Sequence, residues 1–323
     1  MFQCSDKPEP ETRMKDAFLK SISTVYRLAF LLSILIFINI LFGPLVRATD
    51  SGLACPDWPL CYGKVIPPPE FRIWMEVGHR IYSGLLGFVI LGLSIVIFKN
   101  SELRKRFGLL AVTALVVLVN QVILGKLTVT KLLDPGTVNM HLLNAVLLFT
   151  LIVSITAKAN YILKSETELV SFIQWNQIFT TRNLLLTITV ILIFFQLFMG
   201  GRVSSNYAGL ACPDWPTCHG SWFPKMEGLV RIQMEHRFVA YIILILIVIN
   251  FSISIFKSYD RRTRLFLKMA LHTVGLQIIL GVSNVLFQLP ILVTALHTGV
   301  GVAVFILNYT ALFYRILPED NSN

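Results

Sequence analysis

Charge is nearly absent from long stretches of this chain: Leu28 to Phe42 and Tyr241 to Phe256 contain no Asp, Glu, Lys or Arg. A helix on a soluble core needs a polar face, and these runs have none. A membrane-crossing helix needs about 20 such residues. The pattern predicts eight, near 27–46, 77–98, 107–127, 139–157, 183–201, 234–256, 265–287 and 291–313. The runs are continuous rather than alternating at period two, so helices are expected and a barrel is not. The expected fold is an all-α, polytopic membrane protein.

An internal repeat organises these spans. Gly52-Leu53-Ala54-Cys55-Pro56-Asp57-Trp58-Pro59 returns letter for letter as Gly209-Leu210-Ala211-Cys212-Pro213-Asp214-Trp215-Pro216. The same shift carries Cys61 onto Cys218 and His79 onto His236. A shift one residue shorter carries Gln121 onto Gln277, Gly125 onto Gly281 and His141 onto His297. Each copy therefore holds four helices, and an even number makes the copies parallel repeats. The expected division is a leader over 1–26, a first repeat over 27–157, a linker over 158–182, a second repeat over 183–315 and a tail over 316–323.

Composition agrees with a membrane setting: 55% of the 323 residues are hydrophobic and 14% charged, against about 25% charged in soluble domains. The net charge of +10 would point to nucleic acid on a soluble chain. Here Lys and Arg fall mainly in short segments between apolar runs, so topology explains them and no nucleic-acid partner is expected. With the N-terminus inside, 18 of the 28 Lys and Arg lie on the cytoplasmic side. Both termini are thus expected in the cytoplasm, and the first apolar run is expected to be a retained helix rather than a signal peptide.

The remaining polar residues carry the candidate chemistry. His79, His141, His236 and His297 would fall in the first turns of the second, fourth, sixth and eighth helices, all at the outer face. Two imidazoles facing each other within a bundle suit axial ligation of one haem iron, so the sequence offers two such sites. The plain alternative is a polar side chain satisfied by a carbonyl of a neighbouring helix, although polar groups inside a bilayer are costly and usually functional. Zinc would need a third ligand, which Glu76 could supply. His219 and His272 do not obey the repeat and fall outside the ligand set.

The copies differ at Glu76, one helical turn before His79, because its counterpart is Gln233. A carboxylate can hold or relay a proton where an amide can only hydrogen-bond, so the two sites are expected to do unequal work. Arg80 and Arg237 follow two of the histidines and suit either haem propionates or the membrane interface. Glu235 is expected to pair with Arg231 or Arg237. Cys55 and Cys61, and Cys212 and Cys218, lie in outer loops where disulfides are expected, as structural staples or as redox partners. Cys4 is expected to stay a free thiol.

Taken together, the duplicated Gly-Leu-Ala-Cys-Pro-Asp-Trp-Pro loops, Glu76-Val77-Gly78-His79-Arg80, His141, His236-Arg237 and His297 resemble bacterial haem A synthases of the class with cysteine pairs, over roughly 25–315. The resemblance implies oxidation of the C8 methyl of haem O to a formyl group by two hydroxylations and loss of water. It implies a resident haem b on His236 and His297, substrate haem O between His79 and His141, and Glu76 as the catalytic carboxylate. Arg47, in Val46-Arg47-Ala48-Thr49, matches a family arginine and would touch a propionate, but the second copy reads Val203-Ser204-Ser205 with Arg202 displaced. Expected partners are haem O, the lipid bilayer, an electron donor, haem O synthase and cytochrome oxidase assembly factors, with homo-oligomers also open; the expected site is the bacterial cytoplasmic membrane. The competing readings are a dihaem or quinol-linked electron carrier, a thiol-disulfide oxidoreductase and a transporter.

Overall fold

The computed structural model describes residues 10–164 and 175–317. Cys4 lies outside the described residues. Eight helices long and apolar enough to cross a membrane are present, and no strand longer than an isolated bridge occurs among the described residues. They are α1 (Pro10–Ala48), α2 (Phe71–Lys99), α3 (Ser101–Thr130), α4 (Pro135–Lys164), α5 (Leu184–Ser205), α6 (Gly228–Phe256), α7 (Arg261–Leu286) and α8 (Ile291–Arg315).

Each predicted span is a helix, but most run past their apolar segments. α1 already includes Pro10, well before residue 27, and α4 runs at least to Lys164, into the stretch read as linker. Hydropathy marks only the part of a helix inside hydrocarbon, whereas side-chain caps fix the starts of α3, α4 and α7. The Asn100 side chain accepts from the amides of Glu102 and Leu103 to start α3, and Asp260 accepts from Thr263 to start α7. α4 opens on Asp134-Pro135, with the aspartate accepting from the amide and hydroxyl of Thr137.

The neighbour relations place the candidate residues. α1 packs on α2 and α4, and α3 on the same two, so α2 and α4 stand diagonally across a four-helix ring. α5 and α7 flank α6 and α8 in the same way. The two rings meet where α1 and α4 touch α5 and α8. That seam is tight: a methyl added at Gly201 would lie 1.9 Å from Asn139 Oδ1, and one at Gly299 would lie 2.1 Å from Leu41 Cδ2.

Candidate functional site

All four repeated histidines lie toward the end of the bundle that carries the two long loops, but deeper than the first turn. His79 and His236 are the ninth residues of α2 and α6, and His141 and His297 the seventh of α4 and α8. At 1.5 Å per residue they sit about 9–12 Å inside the helix ends. The first-turn expectation fails because α2, α4 and α6 start before their apolar runs do.

Within each ring the two histidines project from diagonal helices, and a glycine on a flanking helix faces each imidazole, closely enough at His141, His236 and His297 that a larger residue would crowd the ring. Gly43 of α1 faces His79, Gly125 of α3 faces His141, Gly200 of α5 faces His236 and Gly281 of α7 faces His297. These glycines obey the same repeat as the histidines. Added methyls would approach the His Cε1 atoms to 3.9, 3.2, 3.2 and 2.9 Å respectively. Gly281→Ala therefore forces the His297 ring to move; overpacking of this kind costs about 1–3 kcal/mol. The expected result is weaker retention of whatever His236 and His297 hold, measured as ligand content of the purified protein.

The rings of His236 and His297 stand 6.5 Å apart, centre to centre, at 76°. Two imidazoles ligating one metal from opposite sides at about 2 Å each place their centres about 6 Å apart. Nδ1 of His79, His141 and His297 is buried without a hydrogen-bond partner, as are Oε1 of Gln196, Gln233 and Gln277. Orphaned polar atoms at such density are rare in a finished core. Paired imidazoles, glycine-cleared space and unspent polar atoms together fit a haem. Among the described residues no group of three or more His, Cys, Asp or Glu is placed to share a metal ion, so the zinc reading gains no third ligand.

Amides brace three of the rings. Gln121 and Gln277 lie 3.3 and 3.4 Å from Nε2 of His141 and His297, and Gln196 reaches both Nδ1 and the carbonyl of His236. Phe42 instead meets His79 edge-on at 5.4 Å. The sequence repeat exposed Gln121 and Gln277, but it gave no reason to single out Gln196, whose counterpart is Asn39.

Glu76 is buried and turned toward the loop. Its Oε2 accepts from the amide of Cys55 at 2.9 Å, and its Oε1 is paired with Arg80. Both expected disulfides are present, Cys55–Cys61 and Cys212–Cys218. Arg80 also donates to the carbonyls of Asp57 and Leu60, and Arg237 to those of Asp214, Thr217 and Cys212. These two guanidinium groups thus clamp the disulfide loops, a role neither sequence reading contained. Gln233 makes one long contact, 3.3 Å to the carbonyl of Gly209. Only the first copy therefore ties its disulfide to a carboxylate.

The other candidates fall around this core. Arg47 reaches across the seam to Ser204, its counterpart in the repeat, donating to Oγ at 3.1 Å and to the carbonyl at 2.7 Å. Glu235 pairs with Arg231 and Arg202, not with Arg237. His219 braces its own loop through the carbonyl of Ala211, and the exposed His272 bonds the carbonyl of Lys268 one turn back. Both lie outside the set of four repeated histidines.

The repeated aspartates explain the loops' shape. Asp57 accepts from the amides of Gly63 and Tyr62, and Asp214 from those of Gly220 and His219 and from the Thr217 hydroxyl. Tyr62 and His219 adopt left-handed backbone, which such side-chain bonds support. The Gly63 amide above all holds the Asp57 carboxyl below its usual range, and the Thr217 hydroxyl does the same for Asp214. A depressed carboxyl stabilises the fold above its unfolded value of about 4 and ceases to as pH falls through the folded one. Protection of the loop amides, corrected for their intrinsic exchange rates, is expected to be flat from pH 7 to about 4 and to fall below that. Asp57→Asn and Asp214→Asn should remove the fall; its persistence in both would assign it elsewhere.

Comparison with known proteins gives one family. The family model described as cytochrome oxidase assembly protein matches residues 26–308. A protein named Heme A synthase from Shewanella oneidensis is 28% identical, over 88% of this chain and 94% of its own. Heme A synthase from Alkalihalophilus pseudofirmus is 28% identical over 82% of this chain and 88% of its own. Heme A synthase from Geobacillus thermodenitrificans is 31% identical over 64% of each.

Proposed function

The chain belongs to the haem A synthase family of cytochrome oxidase assembly proteins, and on that premise we propose that it oxidises the C8 methyl of haem O to a formyl group, yielding haem A. The observation that carries the reading is the duplicated imidazole pair beside a single buried carboxylate. His236 and His297 would hold a resident haem b, and their spacing suits one iron. His79 and His141 would hold the substrate haem O. The electron-carrier alternative is not favoured, because the matching relatives are named for synthesis of haem A.

The haem iron supplies the oxidative chemistry when bound. The chain's own residues hold the macrocycle, shield it from water and manage protons. Glu76 sits at the loop end of the N-terminal ring with one oxygen on the Cys55 amide and the other on Arg80, a fixed and buried acceptor. Gln233 cannot take a proton, which supports a reacting site in the N-terminal half. Arg47 is the remaining candidate for a propionate, from the seam between the halves.

The division into repeats over 27–157 and 183–315 is part of this proposal. It is supported by the exchange of neighbours: α1 on α8 in one half corresponds to α5 on α4 in the other. The Arg47–Ser204 contact between equivalent positions supports it too. The basic segments favour both termini in the cytoplasm and the disulfide loops outside, in a bacterial inner membrane. Each of the two hydroxylations also requires dioxygen as oxidant and two electrons from a donor, with water as the second product; haem O synthase and oxidase assembly factors are the expected neighbours.

Protein purified from cells that make haem O is expected to show a Soret band, and its extracted pigment to contain protohaem together with formyl-bearing haem. A preparation without a Soret band would overturn the reading.

A further inference from the structure

The two rings differ in a second place, deeper than Glu76. In the N-terminal ring the Asn144 side-chain nitrogen donates to the carbonyl of Val117 at 3.0 Å and to Gln121 Oε1 at 2.7 Å. Asn120 donates to Asn144 Oδ1 at 2.8 Å. A backbone carbonyl only accepts, so it fixes which end of Asn144 faces it, and the rest of the chain follows. With its oxygen held by Asn144, Gln121 must present its NH2 to His141 Nε2, 3.3 Å away. In the C-terminal ring the shift that carries His141 onto His297 puts Leu276 at the place of Asn120 and Val300 at that of Asn144. Gln277 lies as close to His297, but its oxygen is buried without a partner, so no neighbour holds the amide in place.

An imidazole nitrogen has one lone pair, which accepts a hydrogen bond or binds a metal but not both. Building on the proposed function, we infer that the Asn120–Asn144–Gln121 relay makes His141 a releasable ligand of the substrate haem, whereas His297, lacking it, is a lasting one. Iron approaching Nε2 must displace an amide that Asn144 anchors. Iron approaching Nδ1 would leave a proton on Nε2 facing the Gln121 N–H, donor against donor. Ligation by His297 also displaces its Gln277 contact, but there no second side chain holds the amide oxygen, whereas ligation by His141 works against the Asn144 anchor as well. The asymmetry matches the tasks: a substrate must leave once converted, and a cofactor must stay. Asn144 is a positioning residue, acting on the haem only through Gln121 and His141.

The test is haem release from purified full-length protein into excess apomyoglobin, followed in the Soret region. Wild type should release in two phases, and His79→Ala should remove the fast one, which marks the N-terminal site. Asn144→Val, which installs the C-terminal residue, should slow the fast phase about tenfold and leave the slow one unchanged, the scale of one or two buried hydrogen bonds. Gln121→Leu should do the same and serves if Asn144→Val does not fold. Leu276→Asn with Val300→Asn should speed the slow phase. An unchanged or faster fast phase in both N-terminal variants overturns the relay and leaves the proposed function standing. A wild type without bound haem overturns both.

Discussion

Glu76→Gln is expected to abolish haem A formation while the protein keeps its resident haem. The substitution is close to isosteric, and the C-terminal copy already carries Gln at the equivalent position 233, so the local fold accepts an amide there. What is lost is the ionisable group: the Cys55 amide keeps an acceptor, but Arg80 loses its charged partner and no proton can be held at that place. Loss of a positioned acid or base costs about 10²–10⁴-fold in rate. Glu76→Ala should be as inactive. The measurement is haem A per unit of purified protein, beside the protohaem content of the same sample. Loss of protohaem would contradict the division of labour, since Glu76 belongs to the other ring from His236 and His297.

The second large effect is the converse. His236→Ala or His297→Ala should strip the resident haem, whereas His79→Ala and His141→Ala should leave it bound. The imidazoles of His236 and His297 stand 6.5 Å apart, so removing either would leave the proposed haem with one of its two histidines and a cavity where the second ring stood. Haem-to-protein ratio and the low-spin signature of the purified variants report this. Equal losses from all four variants would mean that the rings share one haem.

Much of this arrangement was legible in the sequence because membrane helices announce themselves in apolar runs and because the site is duplicated. Repetition marked the four histidines, the two disulfides and the contrast of Glu76 with Gln233. What stayed hidden depends on through-space partners or on residues outside the hydrocarbon. The first turns of α2 and α6 mix apolar residues with Arg72, Glu76, Arg231 and Glu235 and so fall outside the continuous apolar runs, which places His79 and His236 a full turn or more too shallow in the hydropathy reading. Arg80 and Arg237 read as propionate contacts or interfacial charges, since no pattern along the chain shows that a guanidinium will meet carbonyls some 20 residues back. Asn120 adjoins Gln121 on α3, whereas Asn144 stands on α4. Only the packing of α3 on α4 brings Asn144 to both.

On the proposed function, one architecture would hold two macrocycles for different ends. Glycines stand beside Cε1 of all four imidazoles in both halves. The differences include the carboxylate at position 76 and the amides behind His141 on the N-terminal side, and Gln196 behind His236 on the C-terminal side. Function then divides by a few polar substitutions on a shared frame, in line with chemistry residing in sites rather than in folds.

The central claim is conversion of haem O to haem A, and pigment analysis tests it most directly. Haem extracted from cells that make haem O, with and without this chain, is separated and identified by mass. The account predicts formyl-bearing haem A only where the chain is present, and none with Glu76→Gln. Haem O that stays unconverted in the presence of folded, haem-loaded protein and a functioning electron supply would contradict it.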